Sequence, residues 1–326
     1  MTVRGRLPTP EPGAPRKDRG TCSGTGSPSV TDPDCVAFLQ WALPRMRLRW
    51  PGFRKVRGQV RKRLSRRLRE LRLDGLDDYR TFLEAHPDEW GALDALCRIT
   101  MSRFYRDRAV FDALRDPVLP ELGRAALARG DAAIRAWSAG CASGEEPYTL
   151  SLAWALDAVR RAPDVELDIV ATEVDARLLE RARIGCYPRG SLKELPPEWV
   201  DAAFDHAGHT LCIGPAFRHR VELVRQDLRE KMPAGPFDLV LCRNLVFTYF
   251  EPSLQDAVLG RILQRLSPGG LLVLGAHETL PPRDRPLLRP YGELPILQVG
   301  SRRGSPPRSD PGRRGPRSTG PPIRGG

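Results

Sequence analysis

The chain has 326 residues, 40% hydrophobic and 28% charged, enough for one large domain or two modest ones with a sizeable core. No apolar run nears the ~18 residues of a membrane span, and residues 1–12 lack the apolar stretch of a signal peptide; neither membrane insertion nor secretion is expected, and the cytoplasm is the expected compartment. The net charge of +12 calls for an acidic partner: a protein, a nucleic acid or a membrane surface.

In chain order, residues 1–33 are rich in Pro, Gly, Ser and Thr without periodicity and read as a disordered tail. Residues 34–105 read as a basic helical N-terminal domain. Phe53, Val56, Val60, Leu64, Leu68 and Leu71 recur at spacings of three and four, one apolar stripe on a helix. Residues 45–73 hold thirteen Lys/Arg against one acid, Glu70. Asp74-Gly75 reads as the helix stop, and two shorter helices follow at 77–85 and 89–97, parted by His86-Pro87.

From about residue 131 the pattern alternates. Strands are expected at 133–138, 167–171, 221–224, 237–242, 271–274 and 296–299, with helices at 147–161, 175–183 and 253–266, the last closed by Pro268-Gly269-Gly270. Such alternation is the mark of an α/β fold, a parallel sheet with helices on both faces. It lapses between Pro188 and Arg220, where Thr210–Ile213 reads as one strand of a small antiparallel insertion at 188–220. The α/β domain is taken as 106–302, and 303–326 as a disordered Arg/Pro/Gly tail; seven arginines lie between Arg302 and Arg324. Cysteines stand at 22, 35, 97, 141, 186, 212 and 242 with no Cys-x-x-Cys pair, and are read as reduced thiols. His206 and His209 have no neighbouring Cys pair, so no metal is expected.

The chemistry points to the ends of the first two strands. Ligands of doubly wound sheets sit at strand carboxyl ends. After the first strand, Gly140 and Gly144 allow a tight turn and close approach of a ligand. Pro147 opens the next helix, with Glu145 and Glu146 at its start. These acids would repel a pyrophosphate, and the dinucleotide pattern Gly-x-Gly-x-x-Gly is absent. A cationic ligand carrying ribose hydroxyls, such as S-adenosylmethionine, suits the site better. Glu173, at the tip of the second strand, could accept both ribose hydroxyls. A plain glycine turn with solvated acids, and an acid that merely starts the next helix, account for the same residues.

Four segments in order raise the functional reading. Trp137–Leu150, WSAGCASGEEPYTL, resembles the first motif of CheR-type protein-glutamate methyltransferases. Ser102-Arg103-Phe104-Tyr105-Arg106-Asp107 resembles that family's Thr-x-Phe-Phe-Arg-Asp segment. Ala171–Asp175 with Ala182–Tyr187 resembles its second-strand region. Gly235–Asp238, Cys242-Arg243-Asn244 and Tyr249-Phe250 resemble its fourth-strand region. The resemblance runs from about 45 to 299. It implies an all-α N-terminal domain followed by a Rossmann-like class I methyltransferase domain in which 188–220 is a small β-subdomain. The implied reaction is methyl transfer from S-adenosyl-L-methionine to glutamates of an acidic protein partner, the cytoplasmic helices of a chemoreceptor, carried out by a monomer.

By the same resemblance Thr100, Ser102 and Arg106 reach the cofactor from the domain junction, Arg106 pairing with its carboxylate as a two-bond fork. Gly140, Gly144, Glu145 and Glu173 line the sulfonium and ribose side, Asp227 and Leu228 flank the adenine, and Arg243 and Asn244 lie beneath. Arg106 and Tyr249 are the catalytic candidates, Tyr249 beside the transferring methyl. The family usually has Asn at Thr100, Thr at Ser102 and Asp at Glu173, and its step from Asn244 to Tyr249 is one residue shorter. Other readings are a methyltransferase with another acceptor, a non-catalytic cofactor-binding module, and a nucleic-acid binder. The last rests on charge alone, since only Trp50 and Phe53 interleave with the basic residues.

Overall fold

The structure is a computed structural model and describes residues 30–281 and 287–300. The expected tail at 303–326 and residues 1–29 of the other lie outside the described residues. Helix α1 (Asp32–Ala42) already includes Asp32 and Pro33, because the Thr31 side chain caps it by accepting from the Asp34 amide. Four further helices complete the first unit: α2 (Trp50–Phe53), α3 (Arg57–Leu71), α4 (Leu76–Ala85) and α5 (Glu89–Cys97). Helix α3 buries Val60, Leu64 and Leu68 at four-residue intervals and leaves most of its arginines outward. It stops at Arg72, which adopts a left-handed φ of 56° and sends its amide back to Leu68 and Arg69, two residues before the expected Asp74-Gly75 stop.

One buried charge locks this unit. Arg67 donates to both oxygens of Glu89, at 2.9 and 2.6 Å, and the Tyr79 hydroxyl donates to Glu89 at 2.6 Å. The bonds from Arg67 hold the Glu89 carboxyl below its ordinary value against the opposing effect of burial, with Tyr79 adding to the lowering. The resulting stabilisation is present above the unfolded carboxyl pKa of about 4.3 and is lost as pH falls through the lower folded value. Glu89→Ala is expected to cost about 3–5 kcal/mol near neutral pH and to flatten the acid limb of stability. Urea melts across the acid range check both.

Helices α6 (Arg108–Ala113) and α7 (Leu119–Arg129) lead into the sheet domain. Its strands are β1 (Ala133–Ala139), β2 (Glu166–Glu173), β6 (Val221–Arg225), β7 (Phe237–Leu241), β8 (Leu266–Val273), β9 (Leu288–Pro290) and β10 (Ile296–Val299). They form one seven-stranded sheet in the order β6-β2-β1-β7-β8-β10-β9. Pairing is parallel from β6 to β8; β10 runs antiparallel to β8 and β9. Helices α8 (Glu145–Leu156), α9 (Ala176–Ile184), α11 (Val246–Tyr249) and α12 (Pro252–Leu263) make or follow the crossovers. This is the expected Rossmann-like α/β fold. Pro268-Gly269-Gly270 falls inside β8 rather than before it: α12 ends at Leu263, and Leu266 already pairs with Phe237 before the register shifts.

Alternation along the central strands feeds two cores. On β7, Phe237 and Val240 join a cluster with the N-terminal helices, while Leu239 and Leu241 join one with α7 and α8. The first cluster runs unbroken from Phe38, Leu64 and Leu93 to Trp137, Val258 and Leu272, so the helical unit and the sheet share one core.

Between α9 and β6 a second sheet forms from β3 (Cys186–Pro188), β4 (Phe204–Ala207) and β5 (Thr210–Ile213), in the order β3-β5-β4, with α10 (Pro197–Ala203) beside it. Here one expectation is corrected. Cys186 and Cys212 are joined in a disulfide rather than kept as thiols. They stand directly opposite in the antiparallel β3·β5 register, with Cα atoms 3.9 Å apart. Their separation of 26 residues, spanning α10 and β4, hides that pairing in the sequence. Cys35, Cys97, Cys141 and Cys242 are free and buried; Cys22 lies outside the described residues. Among the described residues no helix is long and apolar enough to cross a membrane.

Candidate active site

Strand β1 is the switch point of the sheet: β2 and β6 lie to one side, β7 and β8 to the other. Over the carboxyl ends of these strands opens a cavity of about 690 Å³, large enough to enclose a cofactor-sized ligand. The N-terminal unit supplies a wall of it through Pro51–Val56 and Cys97–Arg98.

The loop after β1 is folded onto β2. The Gly140 and Cys141 amides both donate to the Thr172 carbonyl, each at 2.9 Å. Gly140 has a φ of +82°, which strains any side chain, and a Cβ there would meet Leu245 Cδ2 at 2.4 Å and force it to move. Ala142 takes a left-handed φ of 49° and donates its amide to Glu173 Oε2 at 3.0 Å. Glu173 Oε1 accepts from the Val174 and Asp175 amides at 2.8 and 3.0 Å. The longer side chain therefore turns its carboxylate onto three backbone donors at the cavity edge, instead of projecting outward.

Two expected residues do not line the cavity. Glu145 is 2% exposed and turned inward, its two oxygens taking the Ser143 hydroxyl. Gly144 serves the turn: its φ is +93°, and a Cβ would lie 2.8 Å from Tyr148 and 2.9 Å from Ala182. Glu146, the other acid of the motif, faces the cavity instead, because the helix turns Glu145 toward the protein interior. Its oxygens accept from the Ser138 hydroxyl at 2.8 Å and from Arg243 at 3.0 Å.

Thr100, Ser102, Arg106, Gly140, Glu173, Asp227, Leu228, Arg243, Asn244 and Tyr249 all meet at the cavity wall. Arg106 donates to the Met101 carbonyl at 2.7 Å, which leaves most of its guanidinium donors available. Arg243 has a side chain only 2% exposed and acts as a strut, bonding Asp107, Glu146 and the Arg106 carbonyl. Asp227 accepts from Arg229 through both oxygens, and Arg229 also forks onto Asp94 of α5 at 2.8 and 3.0 Å. That network ties the two units together at the cavity wall. Burial pulls the Asp94 carboxyl up, but Arg229 and Arg98 outweigh it and hold it below its ordinary value.

Tyr249 ends the single-turn helix α11. Burial raises its phenol above the ordinary value against the pull of the Arg106 charge, so the hydroxyl stays protonated and can donate. Its ring sits 5.1 Å from Phe53 of α2. The seam there is close: a Cβ on Gly52 would lie 2.4 Å from the Thr248 carbonyl. Arg49 donates to the Phe247 and Thr248 carbonyls, and its amide to the Tyr249 carbonyl at 2.9 Å. Sequence reasoning missed Gly52, Arg49, Gln226, His277 and Glu278. Of these, Glu278 alone carried a signal, an acid just beyond the end of a parallel strand.

Residues 100–289 match the family described as "CheR methyltransferase, SAM binding domain", and residues 55–94 match "CheR methyltransferase, all-alpha domain". The chain belongs to the CheR methyltransferase family. A chemotaxis protein methyltransferase of Salmonella typhimurium is 35% identical over 231 residues, 68% of this chain and 76% of that protein. The Escherichia coli protein of the same name is 32% identical over 238 residues, covering 70% and 79%. Chemotaxis protein methyltransferase 1 of Pseudomonas aeruginosa is 38% identical over 184 residues, covering 54% and 65%.

The CheR cavity suits S-adenosylmethionine, the cofactor of this family. Gln226 lines it and holds a buried Oε1 with no hydrogen-bond partner among the described residues, an acceptor ready for the exocyclic amine of adenine. Glu173 offers remaining lone pairs to ribose hydroxyls. Glu146, the acid at the start of α8 that faces the cavity, disfavours a phosphate there.

Proposed function

We propose that this CheR-family protein transfers the methyl group of S-adenosylmethionine to glutamate side chains of an acidic helical protein, a chemoreceptor cytoplasmic region, in the cytoplasm and as a monomer. The observation that carries the reading is that Arg106 and Tyr249 share one cavity whose rim includes Arg54 and Lys55 of the basic segment. The family membership and the names of the relatives support it.

The bound cofactor supplies a methyl group already activated as a sulfonium. A glutamate acceptor is ionised at neutral pH and needs no general base. The work left to the chain is alignment with water excluded, worth roughly 7–11 kcal/mol in favourable cases. Arg106 fits the methionine carboxylate as a fork. The Tyr249 hydroxyl can orient the acceptor carboxylate without removing a proton. The basic face of α3 steers acidic helices towards the opening, an effect that weakens with salt.

The test is to incubate the protein with methyl-labelled S-adenosylmethionine and a chemoreceptor cytoplasmic fragment, then to treat the product with mild base. Volatile labelled methanol from the receptor, with a rate that falls as salt rises, is the expected result. Cofactor binding without receptor labelling would shift the reading to another acceptor for the same site.

A further inference from the structure

The loop that follows β8 sends one carboxylate across to the turn that carries Tyr249. Glu278 Oε2 accepts from the Asn244 amide at 2.7 Å and from the Gly275 amide at 2.8 Å. Its Oε1 accepts from the Thr248 hydroxyl at 2.7 Å. Asn244 adopts a left-handed φ of 56° at the point where its amide meets Glu278. The reach requires the two loops to touch: a Cβ on Gly275 would lie 2.8 Å from Asn244 Oδ1.

Among the described residues the donors to Glu278 are neutral: two backbone amides and a hydroxyl. Three neutral donors fix the carboxylate in place without cancelling its charge. Helix α11 has four residues, too few to hold its own shape. It is gripped at its carbonyls by Arg49 and across its outer side by Glu278 through Thr248. Tyr249, between these grips, has little freedom left.

We propose that Glu278 is a positioning residue for methyl transfer, acting through Asn244 and Thr248 to hold Tyr249 at the cavity. The role rests on the reading of Tyr249 as the group beside the transferring methyl. Glu278 touches neither cofactor nor acceptor; its effect passes through the turn. A misplacement of about 1 Å in such a group costs on the order of a hundredfold in rate.

Three variants of the full chain test this: Glu278→Ala, Glu278→Gln and Thr248→Val. Three readouts are taken: kcat and KM for labelled transfer, affinity for S-adenosylhomocysteine by calorimetry, and amide hydrogen exchange across residues 244–250. Glu278→Ala is expected to lower kcat by roughly tenfold to a hundredfold, to leave product affinity within about threefold, and to speed exchange in that segment. Glu278→Gln restores most of the rate, since its amide oxygen accepts both backbone amides and its nitrogen can donate to Thr248. Adding Thr248→Val to Glu278→Ala lowers kcat little further. Unchanged kcat and exchange in Glu278→Ala overturn the proposal. So does a loss of rate that follows melting temperature alone, with Gln no better than Ala. If the unaltered protein labels no receptor, the acceptor reading fails on its own. Exchange at 244–250 in Glu278→Ala then decides the anchoring: faster supports it, unchanged overturns it.

Discussion

Arg106→Ala is expected to lower kcat/KM for methyl transfer by about 10²–10³-fold while the protein stays folded. Arg106 is held at the cavity from two sides, its side chain by the Met101 carbonyl and its backbone carbonyl by Arg243. It makes no ion pair among the described residues, so its charge remains for a ligand carboxylate. Removing it leaves a carboxylate in a partly enclosed cavity without its partner, a loss larger than that of a surface pair. Arg106→Lys keeps the charge but not the planar fork and should recover only part of the rate. Initial rates with labelled cofactor, beside product affinity by calorimetry, read the effect. An alanine variant within threefold of the unaltered protein would remove Arg106 from the reaction.

The second large effect is expected at Glu173. Alanine there takes away a ribose acceptor and also releases the amides of Ala142, Val174 and Asp175. Those bonds tie the tip of β2 to the loop after β1, so cofactor binding and local order should fall together. A hydrogen bond to a charged group contributes about 1.5–3 kcal/mol, and the cofactor is expected to bind about a hundredfold more weakly. Glu173→Gln keeps one oxygen and should lie between. Calorimetry with S-adenosylhomocysteine, and the melting temperature with and without it, separate the two losses. Unchanged affinity in the alanine variant would reject the ribose assignment.

The sheet could be read from the sequence because its central strands are short apolar runs between clear turn residues. Ala133–Ser138 and Phe237–Cys242 appear almost as expected, as β1 and β7. The stripe Val60, Leu64, Leu68 set the buried face of α3 in the same way. Helix α6 escaped because its six residues are too few to show a period, and α7 because Pro120 and Gly123 interrupt one. At the site, motif order brought together most of the residues expected at one cavity. It could not say which of two adjacent acids faces the ligand, a question decided by the phase of α8. Nor could it show Gln226, or Glu278, which acts on residues some thirty positions before it. The pairing of Cys186 with Cys212 was hidden for the same reason, since cross-strand register leaves no local trace.

The seam between Arg47–Phe53 and Val246–Glu251 bears on how members of this family could be recombined. Gly52 lies against the Thr248 carbonyl, Leu48 bridges to Phe250, and Arg47 pairs with Glu251 at 2.8 Å. A helical unit exchanged at the apparent domain boundary would arrive without the partners that shape the tyrosine-bearing turn. A chimera that exchanges the helical unit must therefore carry both strips, 47–53 and 246–251, as a single transplant. The helical unit and the tyrosine-bearing turn are inherited together in this chain.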